Sequence, residues 1–131
     1  MRWLDRDTVP APYMALCLNE ADYLKAAKHC KIQTPDAWID LDRNKGVAHT
    51  WEHGGKLVCI VCLHPDSIKA DPIEVAGVLV HEAVHAFQRL CDSIGEDKPS
   101  REFEAYSIGN IAERLMREFV RQTAGEKEKK T

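Results

Sequence analysis

The chain has 131 residues, 44% hydrophobic and 30% charged, with a formal net charge of −3. That length and balance fit one globular domain with a single core, and the scattered basic residues argue against a nucleic-acid partner held through phosphates. No apolar run reaches the length of a membrane span, acids interrupt Met1-Arg2-Trp3-Leu4-Asp5-Arg6-Asp7 where a secretory segment needs apolar residues, and the cysteines (Cys17, Cys30, Cys59, Cys62, Cys91) are odd in number and irregular in spacing. A cytoplasmic protein with free thiols and no membrane partner is the expectation.

In sequence order, Val9-Pro10-Ala11-Pro12 predicts an extended or turning segment, and Tyr13 to Leu18 a short buried one. Asn19 has N-cap chemistry. Behind it Tyr23, Leu24, Ala27 and Cys30 recur at helical spacing, so a helix over about 20–30 is expected, its apolar stripe facing the core. Ala37 to Asp42 alternates as a short strand would, and Asn44-Lys45-Gly46 is turn chemistry. Val47 to His53 and Lys56 to Leu63 flank Gly54-Gly55, which predicts a β-hairpin. The second arm is apolar on both faces and is expected inside the sheet. Cys59 and Cys62 have CxxC spacing, but residues three apart on a strand point to opposite faces and no second CxxC exists, so both read as small buried hydrophobes. His49, His53 and His64 are candidate ligands whose positions suit strand edges or turns better.

His64-Pro65-Asp66-Ser67 ends the sheet. Asp71 then fits an N-cap, Pro72 the first helical position and Glu74 the third, predicting a helix from about 72 to 92 that stops before Gly95. This helix carries Val78-Leu79-Val80-His81-Glu82-Ala83-Val84-His85-Ala86-Phe87, an HExxH motif. Positions i and i+4 lie one turn apart on one face, so His81 and His85 can turn imidazole nitrogens to one metal ion, and Glu82 beside them can take a proton from an attacking water. The apolar flanks leave little room for a solvated face, and polar groups in such a helix are costly to bury without partners. A metal site is therefore expected rather than a polar patch.

A catalytic zinc, the metal favoured by a mixed nitrogen and oxygen donor set, needs a third protein ligand and an open fourth position. After a loop from Asp92 to Pro99, Ser100 caps a helix predicted over Arg101 to Gln122, with Ile108, Ile111, Leu115 and Phe119 on one face. Glu104 continues the face of Ile108, Ile111 and Leu115. Glu102 shares its face with Tyr106, Asn110, Glu113 and Arg117, and a first-turn carboxylate is favoured there by the helix dipole without any metal. Glu104 is the expected ligand. The tail from 125 to 131 has no apolar residue and is expected to be disordered beyond a domain of residues 1–124.

HEAVH followed by Glu104 in Phe103-Glu104-Ala105-Tyr106-Ser107 resembles the zincin metallopeptidases, in their gluzincin arrangement. The chain looks most like the small stand-alone zincin-like proteins of bacteria and phages. The resemblance implies an α+β domain in which a short mixed sheet with a β-hairpin packs on the HExxH helix and a second long helix follows. It also implies Zn2+ held by His81, His85 and Glu104, an edge strand that aligns an extended peptide or protein substrate, and Glu82 as general base. Tyr106 is the leading candidate to stabilise the oxyanion, ahead of His49, His53 and Tyr13. Two alternatives stand beside this one. A zincin-like module binding metal or a partner without turnover is less consistent with an intact Glu82, and a di-iron bundle needs a second ExxH that this sequence lacks.

Overall fold

The most apolar stretch, Leu57 to Leu63, lies in the middle of a sheet, with one face in each of two cores. The computed structural model describes residues 1–4, 12–53 and 56–129, with side chains throughout except at 53 and 125–129. Its strands are β1 (Trp3–Leu4), β2 (Tyr13–Cys17), β3 (Gly46–His53) and β4 (Lys56–Leu63), in the order β1-β2-β4-β3. β2 and β4 run parallel, with Cys17 opposite Cys62, whereas β1–β2 and β3–β4 are antiparallel. The sheet is therefore mixed, and β4 has a neighbour on each side, as its two apolar faces require.

Alternation along β4 sorts its side chains. Leu57, Cys59, Val61 and Leu63 enter one core with Leu79, Ala83, Phe87, Ile111 and Leu115, while Ile60 and Cys62 pack on the other face with Tyr23 and Ala26. The first face carries α2 (Pro72–Ile94) and α3 (Arg101–Lys129), the second α1 (Glu20–His29), giving an α+β fold with helices on both sides. Cys59 and Cys62 thus fall in different cores. Burial first, and then the nearby Glu82 carboxylate, pushes the Cys59 thiol up to about 12.

The helix ends follow local chemistry. Asn19 Oδ1 accepts from the Asp22 amide at 2.8 Å, Asp71 Oδ1 from Ile73 at 2.9 Å, and Ser100 Oγ from Phe103 at 3.2 Å. Gly95 ends α2 at a φ of 72°, a left-handed conformation that glycine adopts without a Cβ penalty. α3 runs to Lys129, past the expected end at Gln122 and into the stretch from 125 expected to be disordered. Glutamate and lysine extend a helix at little cost once it is nucleated.

Two expectations fail locally. Residues 37–42 are not a strand. Trp38 is drawn into the α1-side core, Asp40 Oδ1 accepts from the Asp42 amide at 3.0 Å, and Asp40 O accepts from Arg43 and Asn44, so the segment closes as a turn. β1 was not anticipated, because two residues are too short to show alternation. The hairpin tip Gly54-Gly55 and the segment Val9-Pro10-Ala11 lie outside the described residues. Among the described residues no helix is long and apolar enough to cross a membrane.

Candidate functional site

α2 packs through Val75, Leu79, Glu82, Ala83, Ala86, Phe87, Leu90 and Cys91. The polar residues left over, His81, His85, Gln88 and Asp92, recur at spacings of four, three and four, which is one stripe along the helix. Both histidines are exposed along this stripe, contrary to the expectation that the apolar flanks close around them. Val80, 40% exposed, points about 100° around the helix from His81, on the side of Phe87. A stripe of this period was present in the sequence but is obscured by the run of valines and alanines around it.

The stripe faces β3. Together they bound a cleft of about 500 Å³ lined by His81, Glu82, His85, Gln88, Arg89 and Asp92 from the helix and by Asn44, Gly46, Val47, Ala48 and Thr50 from β3 and the loop before it. Arg89 Nε donates to Thr50 Oγ1 at 3.2 Å and Ser93 Oγ to Glu52 at 2.9 Å, fastening helix to strand. At the mouth of the strand Gly46 permits close approach, since a Cβ there would lie 2.7 Å from Val78 Cγ1. β3 is last in the strand order, so one edge of its backbone carries no sheet partner among the described strands and borders the cleft.

Within the cleft the two imidazoles meet. His81 Nε2 and His85 Nε2 are 3.2 Å apart, with the rings edge to face at 81°. Gln88 Oε1 accepts from His85 Nδ1 at 3.2 Å, which places the proton on Nδ1 and leaves a lone pair on Nε2. His81 Nε2 is the partner within hydrogen-bond distance of that lone pair. Glu82 is 4% exposed yet lines the same cleft. Burial raises its pKa, opposed by the adjacent His81 and His85, so its carboxylate holds a proton more readily than a solvated one.

His81, Glu82 and His85 are therefore brought together, and Glu104 is not brought to them. Phe103 of α3 packs against Phe87 with ring centroids 5.5 Å apart and the rings tilted by 58°, and Glu104 is close enough to Cys91 to raise its thiol pKa, behind burial, Glu96 and Asp92. Phe87 and Cys91 mark the flank of α2 that α3 covers. On the helical wheel that flank lies roughly a third of a turn from the histidines, with Val84 and Gln88 between them. α3 also starts near the end of α2 and runs back along it, so its first turn is level with Phe87 to Cys91 rather than with His81. Glu104 and Glu102 are exposed, and Tyr106 is 71% exposed and outside the cleft lining. Among the described residues no group of three His, Cys, Asp or Glu side chains is placed to hold a metal ion.

The other candidates are accounted for by packing. His49 is buried on the α1 side, donating from Nε2 to Trp38 O at 2.7 Å between the rings of Tyr23 and Trp51. His64 donates from Nε2 to Leu41 O at 3.1 Å and accepts at Nδ1 from the Asp66 amide, closing the turn after β4. Tyr13 stacks on Trp3 at 4.4 Å, near the other edge of the sheet. The side chain of His53 is outside the described residues. Sequence reasoning missed Arg89, Thr50, Gln88 and Asn44. For Arg89 and Gln88 the signal was their position one turn after His85 on the polar side of α2. No family model, curated protein or solved structure matches this chain.

Proposed function

We propose that this chain is a zinc-dependent hydrolase of peptide bonds with a small zincin-like fold. The observation that carries the reading is the pair of Nε2 atoms 3.2 Å apart beside a buried carboxylate. Two nitrogens bound to one tetrahedral zinc at its usual bond length lie roughly 3.3 Å apart, so the separation of the His81 and His85 Nε2 atoms matches that of two zinc ligands once the proton shared between them is released. The Gln88 contact supports this by holding His85 in the tautomer that presents Nε2. Zinc held there supplies Lewis acidity and a water that ionises near neutral pH.

The protein's own residues supply the rest. Glu82, with its raised pKa, accepts a proton from water and returns it to the leaving nitrogen. The edge of β3 offers backbone hydrogen bonds to an extended peptide, and the stripe on α2 lies beneath it. A cytoplasmic setting suits five free cysteines.

One observation favours a second reading. Among the described residues no third His, Cys, Asp or Glu is placed to share a metal ion with the two imidazoles, as in a zincin-like module without turnover. Zinc stoichiometry with a peptide-library assay separates the two. The hydrolase requires one zinc per protein molecule, cleavage by the wild type, and a Glu82→Gln protein that keeps zinc but does not cleave. Zinc uptake without cleavage by the wild type establishes the module, and no zinc uptake refutes the hydrolase.

A further inference from the structure

Arg89 stands one turn beyond His85 and lines the same cleft. Its guanidinium is held in place, because Nε donates to Thr50 Oγ1 on β3. That bond commits one N–H and leaves the fork of Nη1 and Nη2, whose parallel hydrogens match the two oxygens of a carboxylate. Asp92 approaches Nη1 only to 3.7 Å, beyond hydrogen-bond length, and both side chains are well exposed, so this ion pair is a weak competitor. Arg43 and Lys45 border the adjoining space on the far side of His81, where Lys45 pairs with Glu74 at 3.4 Å and Arg43 with Asp40 at 3.8 Å, which leaves Arg89 as the cation on the His85 side of the cleft.

Four residues along the helix rise about 6 Å, and an extended peptide advances about 3.3 Å per residue. A group bound by Arg89 therefore sits about two residues from one poised over the histidines. We propose that Arg89 is a substrate anchor that selects peptides bearing a carboxylate about two residues from the scissile bond, an inference that rests on the hydrolase reading. The same fork accepts either an acidic side group or the free α-carboxylate at the end of a peptide. Glu82 lies buried beneath the cleft and Asp92 beyond Arg89, so the incoming carboxylate displaces Asp92 from the neighbourhood of Nη1 rather than finding an empty field.

The test is binding by the zinc-free full-length protein, followed through backbone amide and arginine Nε resonances. Three probes are titrated: N-acetyl-trialanine with a free carboxylate, its amide, and the amide of N-acetyl-Ala-Glu-Ala. The resonances of Thr50 and Arg89 are expected to shift, with at least one carboxylate-bearing probe binding about tenfold tighter than the neutral amide, equivalent to about 1.4 kcal/mol. Which of the two does so identifies the source. Arg89→Gln should abolish the preference, Arg89→Lys retain a reduced part of it, and Asp92→Asn strengthen it. Equal affinity for all three probes, or a preference that survives in Arg89→Gln, overturns the anchor. If Arg89→Gln does not fold, Arg89→Lys decides, and an undiminished preference there overturns it. Zinc uptake and cleavage measured on the same preparations separate the two proposals. Carboxylate preference without zinc contradicts the hydrolase alone, and zinc with cleavage indifferent to carboxylates contradicts the anchor alone.

Discussion

Replacing Glu82 by glutamine should make the metal-free protein more stable while removing its chemistry. The side chain is 4% exposed and its pKa is raised by burial, with His81 and His85 opposing. A carboxylate whose pKa is raised on folding binds protons more tightly in the folded than in the unfolded state, so ionising it costs stability as pH rises. Below the unfolded value of about 4.3 the wild type bears no penalty; the penalty grows from there and is complete above the raised folded value. Glutamine has nearly the same shape and no charge. The expected gain is about 1–2 kcal/mol near pH 7.5, the usual scale for relieving a strained functional site, or roughly 3–6 °C in Tm for a protein of this size. Urea denaturation in a chelator across pH 4 to 8 measures it directly, and the difference between the two proteins should widen with pH. A Glu82→Gln protein less stable than the wild type, or a difference independent of pH, would refute the claim that burial loads this carboxylate.

Further outcomes follow from the same geometry. With free zinc at 100 times its Kd, the wild type should gain about 2.7 kcal/mol, roughly 8 °C in a thermal melt, and His81→Ala and His85→Ala should each lose most of that shift. Glu104→Gln should leave zinc affinity within about twofold of wild type by competition titration, because its side chain lies on the flank of α2 away from the histidines; a tenfold loss would mean that α3 rearranges around the metal. Glu118 is fully buried and accepts from Arg2 at 3.2 Å, Arg121 at 2.6 and 2.7 Å and Gln122 at 3.0 Å, tying α3 to β1. Burial alone would raise its pKa, but the hydrogen bonds from Arg121 and Gln122 and the charges of Arg121 and Arg2 lower it overall. Its contribution is therefore present above the unfolded carboxylate value and lost as pH falls through the lower folded one. Glu118→Ala should cost about 2 kcal/mol at neutral pH by urea denaturation, discounted for the exposure of both arginines, and should cost less in acid.

The reach of local information separates what was legible from what was not. Asn19, Asp71 with Pro72, Gly95 and Ser100 specify helix ends because each acts on backbone groups within a few residues of itself, and the arms around Gly54-Gly55 specify a hairpin because their partners adjoin in sequence. The meeting of the two histidines belongs with these, since a spacing of four on any helix brings the rings to one side. Residues 37–42 misled because alternation records which side chains turn inward, and Trp38 is half-buried by a loop as readily as by a strand. The parallel pairing of β2 with β4 and the partition of β4 between two cores depend on contacts between elements that are not neighbours in the sequence. So does the direction in which α3 lies from α2. A glutamate on the apolar face of a later helix can be read from periodicity, but whether it meets the histidines depends on which flank of α2 that helix covers, and the packing of Phe103 on Phe87 places it on the other one. Helical periodicity carries one turn of geometry, and a third donor for the proposed metal site would have to come from a whole helix away.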